Sequence, residues 1–206
     1  MIFYYAPQTV SLASHIVLEE VGAQYDTQLL NFAKTEQRSE DYLRTNPKGR
    51  VPALVTERGI LTETPAILAF LAQSFPASNM AALDDPFEFA KMQEFNAYLC
   101  ATVHVAHAHR VRGNRWVDDD AAIAAMQAKV PQTMRECFQL IEDTMFTGPW
   151  VRGENYSICD PYLFTISTWL KGDSVDVDDF PAIAEFQRKM RERSAVQRVL
   201  RLHGLQ

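Results

Sequence analysis

The sequence predicts two domains, an α/β domain at the amino end followed by an all-α helical bundle. Three observations support this fold class. Short apolar strand patterns alternate with helical patterns over residues 1–76, the alternation stops in a linker at residues 77–86, and residues 87–206 contain helical patterns. The chain has 206 residues, of which 47% are hydrophobic, so each domain can form a packed core.

The first domain is predicted to follow the order β-α-β-α-β-β-α. Residues 2–5 form a short apolar strand, residues 11–21 carry apolar side chains at helical spacing, and residues 25–30 form a second strand. A β-α-β start favours parallel pairing of these strands through a right-handed crossover. The remaining predicted elements are a helix at residues 39–45, hairpin strands at residues 53–56 and 59–61, and a helix at residues 64–74. This order resembles a thioredoxin-like domain.

The second domain is predicted to contain two long helices and three shorter ones. The first long helix spans about residues 87–112, and the second spans about residues 119–145 after an acidic start. Pro131 lies inside the second helix, so a kink or break is expected near Val130. The shorter helices are predicted near residues 158–170, 181–192 and 195–202.

Charge and cysteine content exclude several classes of function. The formal net charge of -6 argues against a nucleic-acid partner, which requires a basic face. No stretch approaches the ~18 uncharged apolar residues of a membrane span, and residues 1–5 lack the basic lead of a secretory leader. The three cysteines form neither a disulfide framework nor a CxxC motif. We therefore expect a soluble, cytoplasmic protein.

The most informative motif is NPKGRVPAL at residues 46–54. Pro52 stands where an apolar strand should begin, and proline cannot donate a ladder hydrogen bond. The backbone at Val51 therefore faces outward, and a cis Val51–Pro52 bond would direct the amide and carbonyl of Val51 into a cleft. Such an exposed edge can pair with a short extended peptide.

A second motif, Glu63-Thr64-Pro65, lies at the start of the last helix of the first domain. Pro65 fits a first helical turn, where its missing N–H costs nothing. The free amides and positive dipole end of the helix favour an anion, and the Glu63 carboxylate beside them can hold an ammonium. A γ-glutamyl group carries both charges on one carbon. The two motifs together therefore predict a clamp for glutathione.

Four segments in fixed order carry a family resemblance. They are the two motifs above, the N-terminal segment that contains YYAP and SLASHI at residues 4–7 and 11–16, and SICDPYLF at residues 157–164. Together they resemble the cytosolic glutathione S-transferases, most closely the bacterial beta-type branch. The resemblance covers nearly all of the chain. It implies a homodimer that uses glutathione as cosubstrate, without a metal, and catalyses thiolate attack on an apolar electrophile. The SICD segment is a capping box at a helix start.

The resemblance places thiol activation in the loop at residues 6–11. A thiol is nucleophilic as the thiolate, which a hydroxyl donor or a helix N-terminus stabilises. Ser11 is expected to donate its O–H to the sulfur, with Tyr5 and Thr9 as the other candidate donors. Ser11 as a plain N-cap and Tyr5 as a buried strand residue are the alternatives.

Val10 stands where the beta-type branch has a cysteine. Valine can neither form a mixed disulfide nor donate to sulfur, so two further functions stay open. One is a glutathione-dependent peroxide or disulfide reductase that uses two glutathione thiols. The other is a non-catalytic glutathione-binding or protein-interaction module.

The other expected site residues form two groups. The resemblance implies glutathione contacts from the loop, the clamp and two cations, at Thr9, Lys34, Arg50, Val51, Pro52, Glu63 and Thr64. It implies a second-substrate pocket with Val10, His104, His107 and Trp116. Cys100, His104 and His107 share one helix face, as zinc ligands can, but no fourth ligand is indicated and no metal is expected.

Overall fold

The computed structural model describes residues 1–205. These residues form two compact units, one containing residues 1–89 and 190–205 and the other containing residues 90–189. The first unit thus combines the strand-containing part of the chain with its final helix, a grouping that no sequence pattern indicates. The domain boundaries predicted at residues 76 and 87 stay predictions.

The strands and helices follow the order predicted from the sequence. In chain order they are β1 (Ile2–Tyr5), α1 (Ser11–Glu20), β2 (Asp26–Leu29), α2 (Glu40–Thr45), β3 (Ala53–Thr56), β4 (Gly59–Thr62), α3 (Thr64–Ser74), α4 (Pro86–Tyr98), α5 (His104–Arg112), α6 (Asp120–Leu140), α7 (Cys159–Ser167), α8 (Pro181–Glu192) and α9 (Ser194–Leu202). Short 3-10 helices lie at Phe32–Lys34, Glu36–Arg38, Pro76–Ser78, Gly113–Arg115, Leu170–Asp173 and Val177–Asp179. Two π-helical segments lie at Leu99–Val103 and Ile141–Met145.

The first unit is built on a mixed β-sheet. Within residues 1–205, four strands pair in the order β2-β1-β3-β4, with β1 parallel to β2 and β3 antiparallel to both of its neighbours. The parallel pairing expected of the β-α-β start is therefore confirmed. Phe3 and Leu54 are partners in the β1–β3 register, and both are fully buried. Alternate residues of β1 thus face the core, and Tyr5 at the strand end faces the same way.

Helix α1 contacts both α3 and α9 in the first unit. Two arginines near the carboxyl end of the chain attach α9 to α1. Arg193 makes a bidentate ion pair with Glu20, at 2.7 and 2.9 Å, and Arg198 Nε donates to Glu19 at 2.9 Å. The final helix therefore supports the helix whose first turn follows the predicted thiol-activating loop.

Residues 90–189 form a helical unit around aromatic side chains. Helices α4 and α5 are joined by the π-helical segment Leu99–Val103, so the long helix predicted near residues 87–112 is confirmed with a π-bulge inside it. The core of this unit contains fully or almost fully buried Phe138, Phe164, Phe180 and Phe186. No helix within residues 1–205 combines the length and the apolar character needed to span a membrane.

Pro131 lies inside α6 without ending it, so a break near Val130 is wrong, while the expected alternative of a kink stays a prediction. Proline removes the N–H that would bond to the carbonyl of Gln127. Because Gln127 is exposed, solvent can satisfy that carbonyl. Val130 and Met134, one turn apart, are buried and hold this part of the helix in the core.

The capping box predicted at the start of α7 is confirmed. Ser157 Oγ accepts the amide of Cys159 at 3.3 Å. The Asp160 carboxylate accepts the amides of Ser157 and Val151, at 2.7 and 2.8 Å. Since Asp160 and Ser157 are buried, these hydrogen bonds satisfy amides that water does not reach.

Candidate functional site

The NPKGRVPAL segment forms a turn that buried side chains hold in place. Asn46, which is 1% exposed, donates from Nδ2 to the Arg50 carbonyl at 2.6 Å, and the Tyr42 hydroxyl donates to the same carbonyl at 2.6 Å. Gly49 has a φ of 60°, and a Cβ there would meet backbone at 2.9 Å, so this position requires glycine. The Val51–Pro52 bond is cis.

Glu63 and Thr64 lie at the junction of β4 and α3. Glu63 precedes the helix with φ 71° and ψ 121°, and its carbonyl accepts the Ile67 amide at 3.0 Å. Thr64 is buried, Pro65 occupies the first turn as predicted, and the Glu63 side chain is 55% exposed. The helix start therefore places its first amides beside an accessible carboxylate, the two features that a γ-glutamyl head group requires.

The sequence analysis missed Lys48, which contacts this junction. Lys48 Nζ donates to Glu63 Oε1 at 2.5 Å and to Thr62 Oγ1 at 2.6 Å. The contact joins the two predicted motifs directly. Lys48 lies inside the first motif, but 15 residues separate it from Glu63 and no local spacing rule pairs them.

A compact network of hydroxyls occupies the loop before α1. Thr9 Oγ1 and Ser11 Oγ are 2.7 Å apart, and they lie 2.8 and 3.1 Å from the carbonyl oxygen of Ala6. Ser11 Oγ also accepts the Ala6 amide, and Thr9 Oγ1 accepts the Ser11 amide, both at 3.3 Å. Ser11 is fully buried, whereas Thr9 and Val10 are partly exposed. Of the two hydroxyl residues, Thr9 is therefore the one that has solvent-accessible surface.

Ser11 is the first residue of α1, and the N-cap position is Val10. The alternative that Ser11 acts as a plain N-cap is therefore wrong. Its hydroxyl instead bonds backward to Ala6 and Thr9. This geometry fixes the loop and holds the Thr9 side chain at the start of the helix.

Tyr5 lies in an aromatic cluster inside the first unit. It is 6% exposed, and its ring centre lies 5.1 Å from that of His15 and 4.8 Å from that of His203. Burial raises the pKa of Tyr5. These contacts agree with the alternative that Tyr5 is a structural strand residue.

The two histidines of this cluster form a buried pair that the sequence analysis missed. His15 Nδ1 and His203 Nε2 are 2.9 Å apart, and the two residues are 0% and 2% exposed. Burial lowers the pKa of His15 to about 4 and that of His203 to about 3, so both rings are neutral near pH 7. The pair joins α1 to the residue that follows α9.

The other expected glutathione contacts differ in exposure. Lys34, at the end of a 3-10 helix, and Arg50 are exposed and accessible to a ligand carboxylate. Val51 and Pro52 are buried. Every one of these residues belongs to the first unit.

The expected second-substrate residues of the second unit make two sets of aromatic contacts. His107 stacks on Trp169 with ring centres 4.3 Å apart, and His104 contacts the same indole at 5.0 Å. Trp116, which is 48% exposed, contacts His109 at 4.5 Å. The structure thus brings His104 and His107 together on one indole, and it places Trp116 against a different histidine.

A buried carboxylate orients His107. Its Nδ1 lies 2.8 and 3.0 Å from the two oxygens of Asp173, and Arg110 Nε lies 2.9 Å from the same carboxylate. A carboxylate at Nδ1 favours a proton on that nitrogen, so Asp173 fixes the orientation of the His107 ring. Within residues 1–205, no group of three or more His, Cys, Asp or Glu side chains is arranged to hold a metal ion.

Comparisons with known proteins show the family to which the chain is similar. The family model described as "Glutathione S-transferase, N-terminal domain" matches residues 1–73. The glutathione S-transferase GstA of Escherichia coli O157:H7 is 30% identical over 207 residues, covering 100% of this chain and 100% of the relative. The likeness therefore extends over both units of the chain.

Two solved structures are similar to the chain over its whole length. One is a glutathione transferase homologue from Sulfitobacter with bound glutathione, at a TM-score of 0.95 and 41% identity, covering 100% of this chain and 98% of that chain. The other is a beta-class glutathione S-transferase from Sphingomonas chungbukensis, at a TM-score of 0.87 and 26% identity, covering 100% of both chains.

Proposed function

The chain belongs to the glutathione S-transferase family, and from this premise we propose that it is a glutathione transferase that conjugates glutathione to an apolar electrophile. The observation that carries the proposal is the start of α3. There, the Glu63 carboxylate and the first helical amides offer partners for both charges of a γ-glutamyl group. Glutathione is the cosubstrate, and the proposed reaction requires no metal.

Glutathione binds, in this proposal, along the edge from Val51 to Thr64. The Val51 backbone pairs with the cysteinyl residue of the tripeptide, as an added strand would. Glu63 accepts the α-ammonium, while the amide and hydroxyl of Thr64 bind the α-carboxylate. Lys34 or Arg50 neutralises the glycine carboxylate. The turn anchored by buried Asn46 supports this arrangement because it fixes the backbone before Val51.

Thiol activation is assigned to the Thr9–Ser11 hydroxyl pair. Because Ser11 is buried and Thr9 is partly exposed, Thr9 donates its O–H to the sulfur. The Ser11 O–H turns toward Thr9 Oγ1, 2.7 Å away, and strengthens Thr9 as a donor. The N-terminus of α1 adds positive potential, which favours the thiolate.

The proposed reaction balances without a further reagent. The thiol loses its proton to solvent, the thiolate forms the S–C bond, and the leaving group departs with its bonding electron pair. The roles expected for Val10, His104, His107 and Trp116 toward the electrophile stay predictions.

Calorimetry combined with turnover assays tests the proposal. We expect the protein to bind reduced glutathione and to conjugate it to at least one member of a panel of apolar electrophiles. Binding with turnover of disulfide glutathione or peroxide, and no conjugation, would replace the transferase with the reductase alternative. Binding without any turnover would indicate a non-catalytic module, and absence of binding would overturn the clamp.

We also propose that the protein is a cytoplasmic homodimer. Phe87 and Ile60 in the first unit are 71% and 44% exposed, and covering such apolar side chains with a second copy removes them from water. The free cysteines Cys100, Cys137 and Cys159 suit a reducing compartment. Analytical ultracentrifugation tests the dimer, and a sedimentation mass of one chain at micromolar concentration would contradict it.

A further inference from the structure

Lys48 places a cation on the carboxylate that the proposed function assigns to a ligand cation. Its ammonium lies 2.5 Å from Glu63 Oε1 and 2.6 Å from Thr62 Oγ1. We propose that Lys48 occupies the ammonium subsite of the free protein and that a ligand must bring its own ammonium to displace it. This inference rests on the proposed function, because it requires glutathione to bind at Glu63.

The backbone around Lys48 is held in a fixed position. The side-chain oxygen of Asn46 accepts the Lys48 amide at 3.2 Å, and Asn46 itself is 1% exposed. Gly49 follows in the left-handed region with a φ of 60°. Displacement therefore requires movement of the lysine side chain alone, while the turn before Val51 keeps its shape.

Glu63 is an unusual residue for its backbone conformation. With φ 71° it lies in a region that L-residues with a Cβ rarely adopt and that glycine adopts freely. A glutamate at this position is unfavourable for the backbone, which supports a role for its side chain. In the structure, the Glu63 carboxylate pairs with the ammonium of Lys48.

Because the Lys48–Glu63 pair is exposed, replacing the Lys48 ammonium with a ligand ammonium costs little free energy. The side chains of Lys48 and Glu63 are 42% and 55% exposed, and ion pairs of this kind contribute little to stability. A ligand ammonium that takes the place of Lys48 restores the charge balance on Glu63. A ligand without an ammonium leaves the Lys48–Glu63 pair closed and gains nothing from Glu63. Because Lys48 already neutralises Glu63 in the free protein, a ligand with an ammonium binds only slightly tighter than a ligand without one. Removing Lys48 should therefore increase this difference in affinity.

The test compares two ligands on the Lys48→Met variant, which keeps the aliphatic stem and removes the charge. The ligands are glutathione and deaminated glutathione, in which a glutaryl group replaces the γ-glutamyl group. We expect the dissociation constant of glutathione to fall about two- to fivefold, since Glu63 becomes unpaired. The deaminated ligand should bind no tighter, because its carboxylates face an uncompensated Glu63.

Lys91→Met is the matched control. Lys91 pairs with Glu94, and their side chains are 39% and 59% exposed, close to the values of the Lys48–Glu63 pair. The control removes the same charge from a comparable pair in the other unit, so it should leave both dissociation constants unchanged. Thermal unfolding of both variants checks that each is folded.

The decisive quantity is the ratio of the two dissociation constants. A higher preference for glutathione in Lys48→Met, but not in Lys91→Met, supports the inference. An unchanged preference, or weaker binding of glutathione to Lys48→Met, overturns it and leaves the proposed function standing. Failure of the unsubstituted protein to bind glutathione overturns both.

Discussion

Thr9 is the residue on which the proposed chemistry depends most, because its hydroxyl is the proposed donor to the sulfur. Thr9 is partly exposed, whereas its partner Ser11 is fully buried. Replacing Thr9 with valine keeps the shape of the side chain and removes the donor. We expect the thiol pKa of bound glutathione to rise by about 1–2 units, since a hydrogen bond to a charged group is worth about 1.5–3 kcal/mol. Conjugation at neutral pH should fall by about tenfold or more.

Two further variants separate the roles of the hydroxyls. Thr9→Ser should keep most of the activity because it keeps the donor. Ser11→Ala should raise the thiol pKa in the presence of Thr9 and have little effect in a Thr9→Val background, because Ser11 acts through Thr9. A full effect of Ser11→Ala in both backgrounds would assign direct contact with the sulfur to Ser11.

The sequence predicted single residues well where local chemistry decided their positions. Pro65 indicated the start of α3, and Pro52 indicated the start of the strand β3 beside the proposed binding edge. The Lys48–Glu63 and His15–His203 contacts join residues 15 and 188 positions apart, which depends on tertiary packing. The burial of Ser11 could not be predicted from the sequence either, because it depends on how α1 packs in the folded protein.

At the element scale, Asp160 fixes the start of α7. Its carboxylate is fully buried and accepts the amides of Val151 and Ser157. Replacement with alanine leaves two buried N–H groups unpaired, at about 1–3 kcal/mol each. We expect Asp160→Ala to lower the free energy of unfolding by about 2–6 kcal/mol in urea denaturation.

Asp178→Ala provides the matched control for Asp160, because Asp178 is exposed and its loss should change stability by less than about 0.5 kcal/mol. Asp160→Asn, which keeps one acceptor oxygen, should fall between the two. Equal stability of Asp160→Ala and Asp178→Ala would refute the capping role of Asp160.

The contact between α1 and the end of α9 should make stability depend on pH. The pKa of His15 and that of His203 are lowered by burial to about 4 and about 3, while both are near 6.5 when unfolded. The unfolded chain therefore binds more protons below pH 6.5. Stability should be full above that pH and fall on acidification toward pH 4, by about 1.4 kcal/mol per pH unit for each histidine.

Thermal unfolding between pH 7 and pH 5 measures this dependence. A His15→Leu and His203→Leu double variant should lose much of it, since replacing both partners removes the two buried groups that protonate on unfolding. The carboxylates of Glu19 and Glu20, which pair with Arg198 and Arg193, remain in both proteins, although Glu19 also loses its electrostatic interaction with His15 in the double variant. An equally steep pH dependence in the double variant would refute the assignment.

At the scale of the whole molecule, the sequence predicted the fold class and the order of elements. Strand and helix periodicity are local, so the β-α-β-α-β-β-α order and the helical remainder followed directly from it. The break at Pro131 was wrong because an exposed carbonyl one turn earlier lets the helix continue. The place of α9 beside α1 could not be predicted, because it depends on ion pairs and a histidine contact between distant segments.

The proposed mechanism depends most on the protonation state of the bound glutathione thiol. The direct measurement is a pH titration of the ultraviolet thiolate absorbance of glutathione bound to the unsubstituted protein. We predict a thiol pKa at least about one unit below the value near 8.5 of a free cysteine thiol. A titration midpoint equal to that of free glutathione, at saturating binding, would contradict it.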